Sequence, residues 1–247
     1  MNLQDYAKAL GLPLTVDIEL EHHFTHYPMQ PEYITIHNAR SAGDGRNLHD
    51  YNRYSIRTSG DGVKSWHWSV GEDGAFQALP MDINAWHAGD GNGDGNRASI
   101  AIEISRDLAT DRTLYDRAED NGAKLAAILL KAYGLSVEAL RTHYDWSGKW
   151  CPHVILTEQR LGDFKARVAG YLARLNATVT TGSEAGTSDP AAMKPAEHVI
   201  YRLQLGAFGK MENAQRYKDI CTRVLKEAGV ITDNPQEAPF LVTVSLV

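Results

Sequence analysis

Thirteen residues, Arg141-Thr-His-Tyr-Asp-Trp-Ser-Gly-Lys-Trp-Cys-Pro-His153, constrain this chain more than any other stretch. Gly148 and Pro152 break regular structure, and charged groups stand where a buried element would need apolar ones, so the stretch reads as a loop. A loop that holds His143 and Cys151 on converging sides offers an imidazole nitrogen and a thiolate to one ion, a pairing suited to zinc. The spacing is too long for a Cys-x-x-Cys knuckle, so a further ligand must come from far away in the chain. The same residues equally describe a buried thiol beside a hydrogen-bonded loop histidine.

Strand and helix signals alternate on either side of this stretch. Tyr33-Ile-Thr-Ile-His37 alternates aromatic and β-branched residues between Pro31 and Asn38 and predicts a strand ending at His37. A histidine at a strand end can reach a cleft from a rigid base, which makes His37 the candidate distant ligand; a backbone-bonded histidine is the plainer alternative. His22, His23 and His26 cluster earlier, in a segment read as solvated coil after a short N-terminal helix. Asn47 to Arg57 has room for a helix. Ser65 to Val70 and Ala75 to Leu79 predict a hairpin with Asp73-Gly74 at its tip. His67 and His87 lie on strand or loop beside the presumed cleft, each as able to shape a substrate groove as to touch a metal, and Trp66, just before His67, is a further candidate groove residue.

Gly89-Asp-Gly-Asn-Gly-Asp-Gly95 lacks both the glutamate of a calcium-binding hand and the Gly-Lys-Ser/Thr of a phosphate loop, so it reads as a flexible loop. Ala98-Ser-Ile-Ala-Ile-Glu-Ile104 predicts a nearly continuous apolar strand interrupted by Glu103. A lone carboxylate there is costly unless it is paired, linked to a metal or turned into a cavity. Thr113 to Tyr133 and Thr157 to Leu175 repeat apolar residues at three- and four-residue steps and predict amphipathic helices. The fold class that follows is α/β, a mixed central sheet flanked by helices.

Composition shifts at Ala177. Small polar residues dominate the next stretch, which predicts a catalytic unit over residues 1–176, a linker over 177–194 and a small domain over 195–247. The small domain reads as β-α-β: a strand through Val199 to Leu205, a helix over Met211 to Ala228 carrying a buried Cys221, and a strand from Phe240 to Val247. It holds no catalytic cluster, and its acidic and basic residues balance. A cell-wall-binding role, mildly salt-dependent, competes with assembly into a homodimer through open strand edges.

The chain of 247 residues carries a net charge of −6 and no basic run, which speaks against nucleic acid as partner. Two cysteines are too few for a disulfide-held secreted fold. The first ten residues lack a basic segment followed by an apolar run, and no stretch approaches the ~20 apolar residues that span a bilayer. Synthesis in the cytoplasm without a signal peptide, no membrane insertion, and action after release are therefore expected.

Together, His37, His143 and Cys151 would leave an open fourth position on tetrahedral zinc, the arrangement of a catalytic site. Glu103 is placed to move a proton, and the Lys149 ammonium to stabilise an oxyanion, which is the chemistry of amide hydrolysis. Five motifs in order, Tyr-Ile-Thr-Ile-His-Asn, Ser-Trp-His-Trp-Ser-Val, Ala-Trp-His-Ala-Gly-Asp-Gly, Asn-Arg-Ala-Ser-Ile-Ala-Ile-Glu-Ile and His-Tyr-Asp-Trp-Ser-Gly-Lys-Trp-Cys-Pro, closely resemble the zinc N-acetylmuramoyl-L-alanine amidases of bacilli, clostridia and their phages. That family is related to the peptidoglycan-recognition proteins. The resemblance implies Zn2+ held by His37, His143 and Cys151, Glu103 as catalytic acid/base, Lys149 as oxyanion stabiliser, and bacterial peptidoglycan as substrate for an endolysin or an autolysin. Some relatives carry a tyrosine where this chain has Trp66, and chemistry assigned to that phenol does not transfer to an indole. The C-terminal Tyr-Arg-Leu-Gln-Leu-Gly-Ala-Phe resembles the opening of sporulation-related repeat domains that bind glycan. A cysteine peptidase using Cys151 and His143 and a non-catalytic peptidoglycan-binding module are the alternatives from other classes.

Overall fold

Side chains alternate across a β-strand, so a strand that reads as apolar along its length can still have two unlike faces. In a computed structural model, which describes residues 2–19, 27–39, 45–58, 64–106, 111–181, 201–204 and 240–243, that alternation organises the main unit. The chain divides into two units, Met1–Ala185 and Gly186–Val247. The first contains a six-stranded sheet built from β1 (Leu14–Val16), β2 (Tyr33–Ala39), β3 (Trp68–Gly71), β4 (Gly74–Gln77), β5 (Ser99–Ser105) and β6 (Leu140–Thr142). Their order across the sheet is β1-β4-β3-β5-β2-β6. Only the β3–β4 pair is antiparallel; the other neighbours run parallel.

On one face, Ile34 and Ile36 of β2, Trp68 and Val70 of β3, and Ile100, Ile102 and Ile104 of β5 are buried in a single apolar cluster. Each such side chain contributes roughly 1.5–3 kcal/mol by leaving water. Helix α4 (Arg112–Ala132) lies against this face and adds Tyr115, Leu125 and Leu129 to the cluster. Asp111 caps it by accepting from the Thr113 and Leu114 amides at 3.0 and 3.3 Å. The helix sits so close to β5 that a Cβ at Gly122 would come within 2.4 Å of Ile104 Cδ1. Helix α1 (Leu3–Leu10) packs Tyr6, Ala7 and Leu10 into the same cluster, and α7 (Leu161–Thr181) packs Phe164, Val168 and Leu175.

A charged clasp ties α4 to α7. The buried Glu119 carboxylate accepts from two nitrogens of Arg160, at 2.5 and 2.9 Å, and from Arg167 at 2.5 Å.

The intervening residues Thr35, His37, Ser69, Ser99, Ala101 and Glu103 project to the opposite face. Helix α2 (Gly45–Thr58) covers part of it, with Leu48 packed against Trp66 and Ala101. The parallel register pairs His37 with Glu103 and, one strand over, Ser69 with Glu103. This face carries the candidate site.

The mixed sheet between helices is as expected, and several local boundaries differ. Strand β2 continues two residues past His37 to Ala39. A strand, β1, follows α1 where coil was expected, pairing with β4. The hairpin turn is Glu72-Asp73, because Gly71 and Gly74 already pair. Gly89 to Gly95 runs into a short helix, α3 (Asp94–Arg97), and its turn is closed by Asp90 Oδ2 accepting from the Gly95 amide at 2.8 Å. The loop expected over 141–153 contains a short helix, α5 (His143–Ser147). The helix expected over 157–175 is α7, which starts at Leu161 and extends to Thr181, into the stretch expected to be linker; a short helix, α6 (His153–Thr157), precedes it.

In the second unit, β7 (Tyr201–Gln204) and β8 (Phe240–Thr243) pair in parallel, as a β-α-β order requires. The helix expected over 211–228 with Cys221, and His22, His23 and His26, lie outside the described residues.

Candidate metal centre and active site

Three elements deliver the candidate ligands. His37 stands near the C-terminal end of β2 and is fully buried. His143 opens α5, where Thr142 and Asp145 form a reciprocal capping box: the Thr142 hydroxyl accepts from the Asp145 amide at 3.3 Å, and Asp145 Oδ2 accepts from the Thr142 amide at 2.7 Å. Gly148, in the left-handed conformation at φ 73°, ends that helix and turns the chain back toward Cys151. The Tyr144 amide then donates to the Cys151 carbonyl at 3.1 Å, closing the loop around both residues. Trp146 anchors α5 to the sheet through its indole N–H, which donates to Thr35 Oγ1 at 2.9 Å.

The result is a triangle of donor atoms. His37 Nδ1 lies 3.0 Å from His143 Nδ1 and 3.9 Å from Cys151 Sγ, and ligand atoms of the three residues all fall within 4.8 Å of one another. A tetrahedral ion bound at ordinary Zn–N and Zn–S lengths would set these edges at about 3.3 and about 3.6 Å. The spacing fits a divalent ion once the widest pair of donors, up to 4.8 Å apart, closes by about 1 Å. Chemistry agrees. Burial, then His87, His143 and Lys149, holds His37 well below the usual imidazole range, and burial followed by Lys149 and Lys64 lowers His143 to about 4. Both rings are neutral, the form that donates a lone pair. Burial and then Glu103 push the Cys151 thiol up to about 12 in the metal-free protein. The Asn38 amide donates to its sulfur at 3.3 Å. A thiol this reluctant to ionise is a poor nucleophile unaided, whereas a cation beside it would reverse the balance.

Glu103 sits beside the triangle, Oε1 3.9 Å from His37 Nδ1, with 14% of its side chain exposed. Burial raises its carboxyl to about 8, partly offset by Lys149, Lys64 and Arg106. Its Oε2 has no hydrogen-bond partner among the described residues. A buried carboxyl with a raised affinity for protons, at the wall of a cleft, has the properties of a proton carrier. The cleft, about 510 Å³, is lined by Glu103, His143, His87, Lys149, Trp66 and Trp86 among others, with Lys64 also at its wall.

The candidate groove residues separate. Trp66 and His87 line the cleft. His67 is buried behind it, with Nδ1 accepting from the Ala101 amide and Nε2 3.0 Å from the Ile83 carbonyl, so its ring is spent on the framework. Three contributors were not anticipated. Lys64 and Trp86 stand at the cleft wall, and Asn38 accepts from the Val154 amide at 3.0 Å while donating to the Ile104 carbonyl at 3.3 Å, fastening the segment after Cys151 to the sheet. The Asn directly after the strand histidine and the lysine before Ser-Trp-His-Trp were visible in the sequence, but neither residue type carries a periodic or spacing signal.

A fold with a parallel-rich sheet, α4 on one face and a His-His-Cys group over a cleft on the other defines a class of hydrolase, and comparison with known proteins identifies it. The family model described as N-acetylmuramoyl-L-alanine amidase matches residues 27–154. The chain belongs to that family. It is 31% identical over 211 residues to the N-acetylmuramoyl-L-alanine amidase CwlA of Bacillus subtilis (strain 168), covering 85% of this chain and 75% of that protein. To the amidase XlyB of the same organism it is 38% identical over 162 residues, covering 63% of this chain but only 49% of that protein. Among solved structures, PlyL superposes with a TM-score of 0.57 at 34% identity, covering 64% of this chain and 97% of PlyL.

Proposed function

We propose that this chain hydrolyses the amide bond between N-acetylmuramic acid and L-alanine in bacterial peptidoglycan, with zinc held by His37, His143 and Cys151. The observation that carries the reading is the convergence of those three donor groups beside a buried carboxyl of raised proton affinity in an open cleft. Zinc at this position would supply Lewis acidity toward a carbonyl oxygen and a nucleophilic water near neutral pH. Glu103 would take a proton from the attacking water and return it to the leaving amide nitrogen of alanine. Its raised affinity for protons suits the return of the proton, and the charge of a bound zinc would favour the ionised form that the first half needs. The Lys149 ammonium, at the cleft wall, stabilises negative charge developing on the carbonyl oxygen. Trp66 and Trp86 supply apolar walls against which a sugar ring can pack and which exclude water from the reacting centre.

A cysteine peptidase would need an ionised Cys151 facing a base that is free to take its proton. Burial works against that, and His143 Nδ1 is turned to His37.

In the cell the reading is that of a phage or prophage endolysin acting on the wall after release, with a host autolysin sharing the chemistry. Among the described residues no helix is long and apolar enough to cross a membrane. For residues 195–247, retention on the wall is the proposed role, and a homodimer through the β7 or β8 edge is its competitor.

The test is product analysis. The protein incubated with purified peptidoglycan should expose new N-terminal L-alanine without new reducing sugar ends. Dialysis against a chelator should stop the release, and zinc should restore it. Release of other amino termini, or full activity without metal, would overturn the proposal.

A further inference from the structure

We infer that His87 is a positioning residue which fixes the tautomer and orientation of His37, so that His37 presents a bare Nδ1 to the metal. The inference rests on the metal reading above and concerns a residue that reading leaves without a role.

Direction follows from a single backbone carbonyl. His87 Nε2 lies 3.4 Å from the Ser99 carbonyl oxygen, and a carbonyl can only accept. The proton of neutral His87 therefore sits on Nε2, and its Nδ1 is a bare acceptor. That Nδ1 is 2.9 Å from His37 Nε2, which must then be the N–H donor. With the His37 proton on Nε2, its Nδ1 keeps its lone pair, aimed at the His143 and Cys151 ligand atoms. Two groups in series, the Ser99 carbonyl and His87, thus set the form of one ligand. The two rings stand nearly perpendicular, 88° apart with centroids at 5.0 Å, so the contact is edge to edge rather than a stack.

His87 is itself held. Its amide and that of Ala88 both donate to Asn96 Oδ1 at 2.8 Å, and Asn96 donates to the Gly91 carbonyl at 2.9 Å. The glycine-rich turn over 89–95 acquires a purpose here: it carries the chain round to the asparagine that clamps this histidine. Although His87 lines the cleft, both its nitrogens are engaged, so it has no free polar atom to offer a substrate. Outer partners of metal-bound histidines typically contribute 10- to 100-fold in metal affinity.

The test compares His87→Asn, which can supply an amide oxygen as acceptor near the old Nδ1, with His87→Leu, which fills space and accepts nothing. Zinc affinity is measured on the full chain by competition with a chromophoric chelator, and the melting temperature is taken with and without zinc. We expect His87→Leu to bind zinc about 10- to 100-fold more weakly with a smaller zinc-induced rise in melting temperature, and His87→Asn to recover most of the loss. Equal zinc affinity in the parent and His87→Leu would overturn the inference, as would equal losses in both variants. A parent that binds no zinc would instead bring down the metal reading itself, and this inference with it. Should the variants not fold, long-range nitrogen–proton correlation spectra of the zinc-loaded parent decide: both His37 and His87 must show the Nε2–H form, and an Nδ1–H form at His87 overturns the inference.

Discussion

The two faces of one sheet solve opposite problems with the same strands. On the face under α4, Ile34, Ile36, Ile100, Ile102 and Ile104 are buried without a polar atom between them. On the other, Thr35, His37, Ser69 and Ser99 are equally buried and polar, and each needs a partner. Those partners are the site: Thr35 bonds Ser99 and Trp146, and His37 bonds His87 and faces the ligand group. The apolar face supplies most of the stability, and a change of volume there costs it. The polar face holds a carboxyl oxygen, Glu103 Oε2, that has no hydrogen-bond partner among the described residues. Separating the two jobs lets the core fix the distance from His37 to Glu103 through the strand register while the cleft stays open.

If the division is real, substitutions on the two faces should fail in different currencies. The largest effect belongs to the cleft. Cys151→Ser should lose zinc and at least about a thousandfold in amide cleavage, since a catalytic metal contributes several kcal/mol at 1.36 kcal/mol per decade. Its metal-free melting temperature should stay near that of the parent. Zinc content by mass spectrometry of the native protein and initial rates check both halves, and a variant that unfolds instead would blur the division.

Ile102→Ala, one residue before Glu103 and on the other face, should do the reverse. Removing a fully buried isoleucine costs about 3 kcal/mol in denaturant unfolding, while zinc affinity and rate well below the melting temperature stay near the parent's. A large fall in zinc affinity would show that the faces are coupled.

Glu119 tests the apolar side at its margin, where α4 meets α7. Burial alone would raise its carboxyl, but hydrogen bonds from Arg160 and Arg167 outweigh burial and hold it below its usual value of 4.5. A carboxyl lowered by folding contributes stability that is present above the unfolded value and lost as pH falls through the folded one. Glu119→Gln should therefore cost about 2 kcal/mol near pH 7, and the gap from the parent should close as pH falls below 4.5. A gap constant across that range would mean that the charge on Glu119 contributes nothing.

How much of this the sequence disclosed depends on the kind of signal each residue carries. Glu103 was legible because a carboxylate in an apolar run is costly whatever surrounds it. The two-faced character of β5 was less visible: Ser99 and Ala101 are small enough to pass as part of an apolar strand, and only the packing of Ile100, Ile102 and Ile104 under α4 shows which face is which. The helix at His143 was obscured because Gly148 and Pro152 argue for a loop, while the Thr142–Asp145 capping box that starts the helix is a weaker cue. Helix α7 outran its expected end because extending a formed helix through Ala177 to Thr181 costs little once it is nucleated. Asn38 and Asn96 were not legible as clamps, since a lone amide has no periodicity and its partners are distant in the sequence or depend on a turn.

The central claim is that holding the metal and moving the proton belong to different residues of one cleft. Zinc content and turnover of Glu103→Gln, measured side by side with the parent on purified peptidoglycan, test it most directly. The account predicts one zinc per chain at unchanged affinity and a loss of at least about 10²-fold in the release of N-terminal alanine. Turnover close to the parent's with zinc in place, or loss of zinc along with activity, would contradict it.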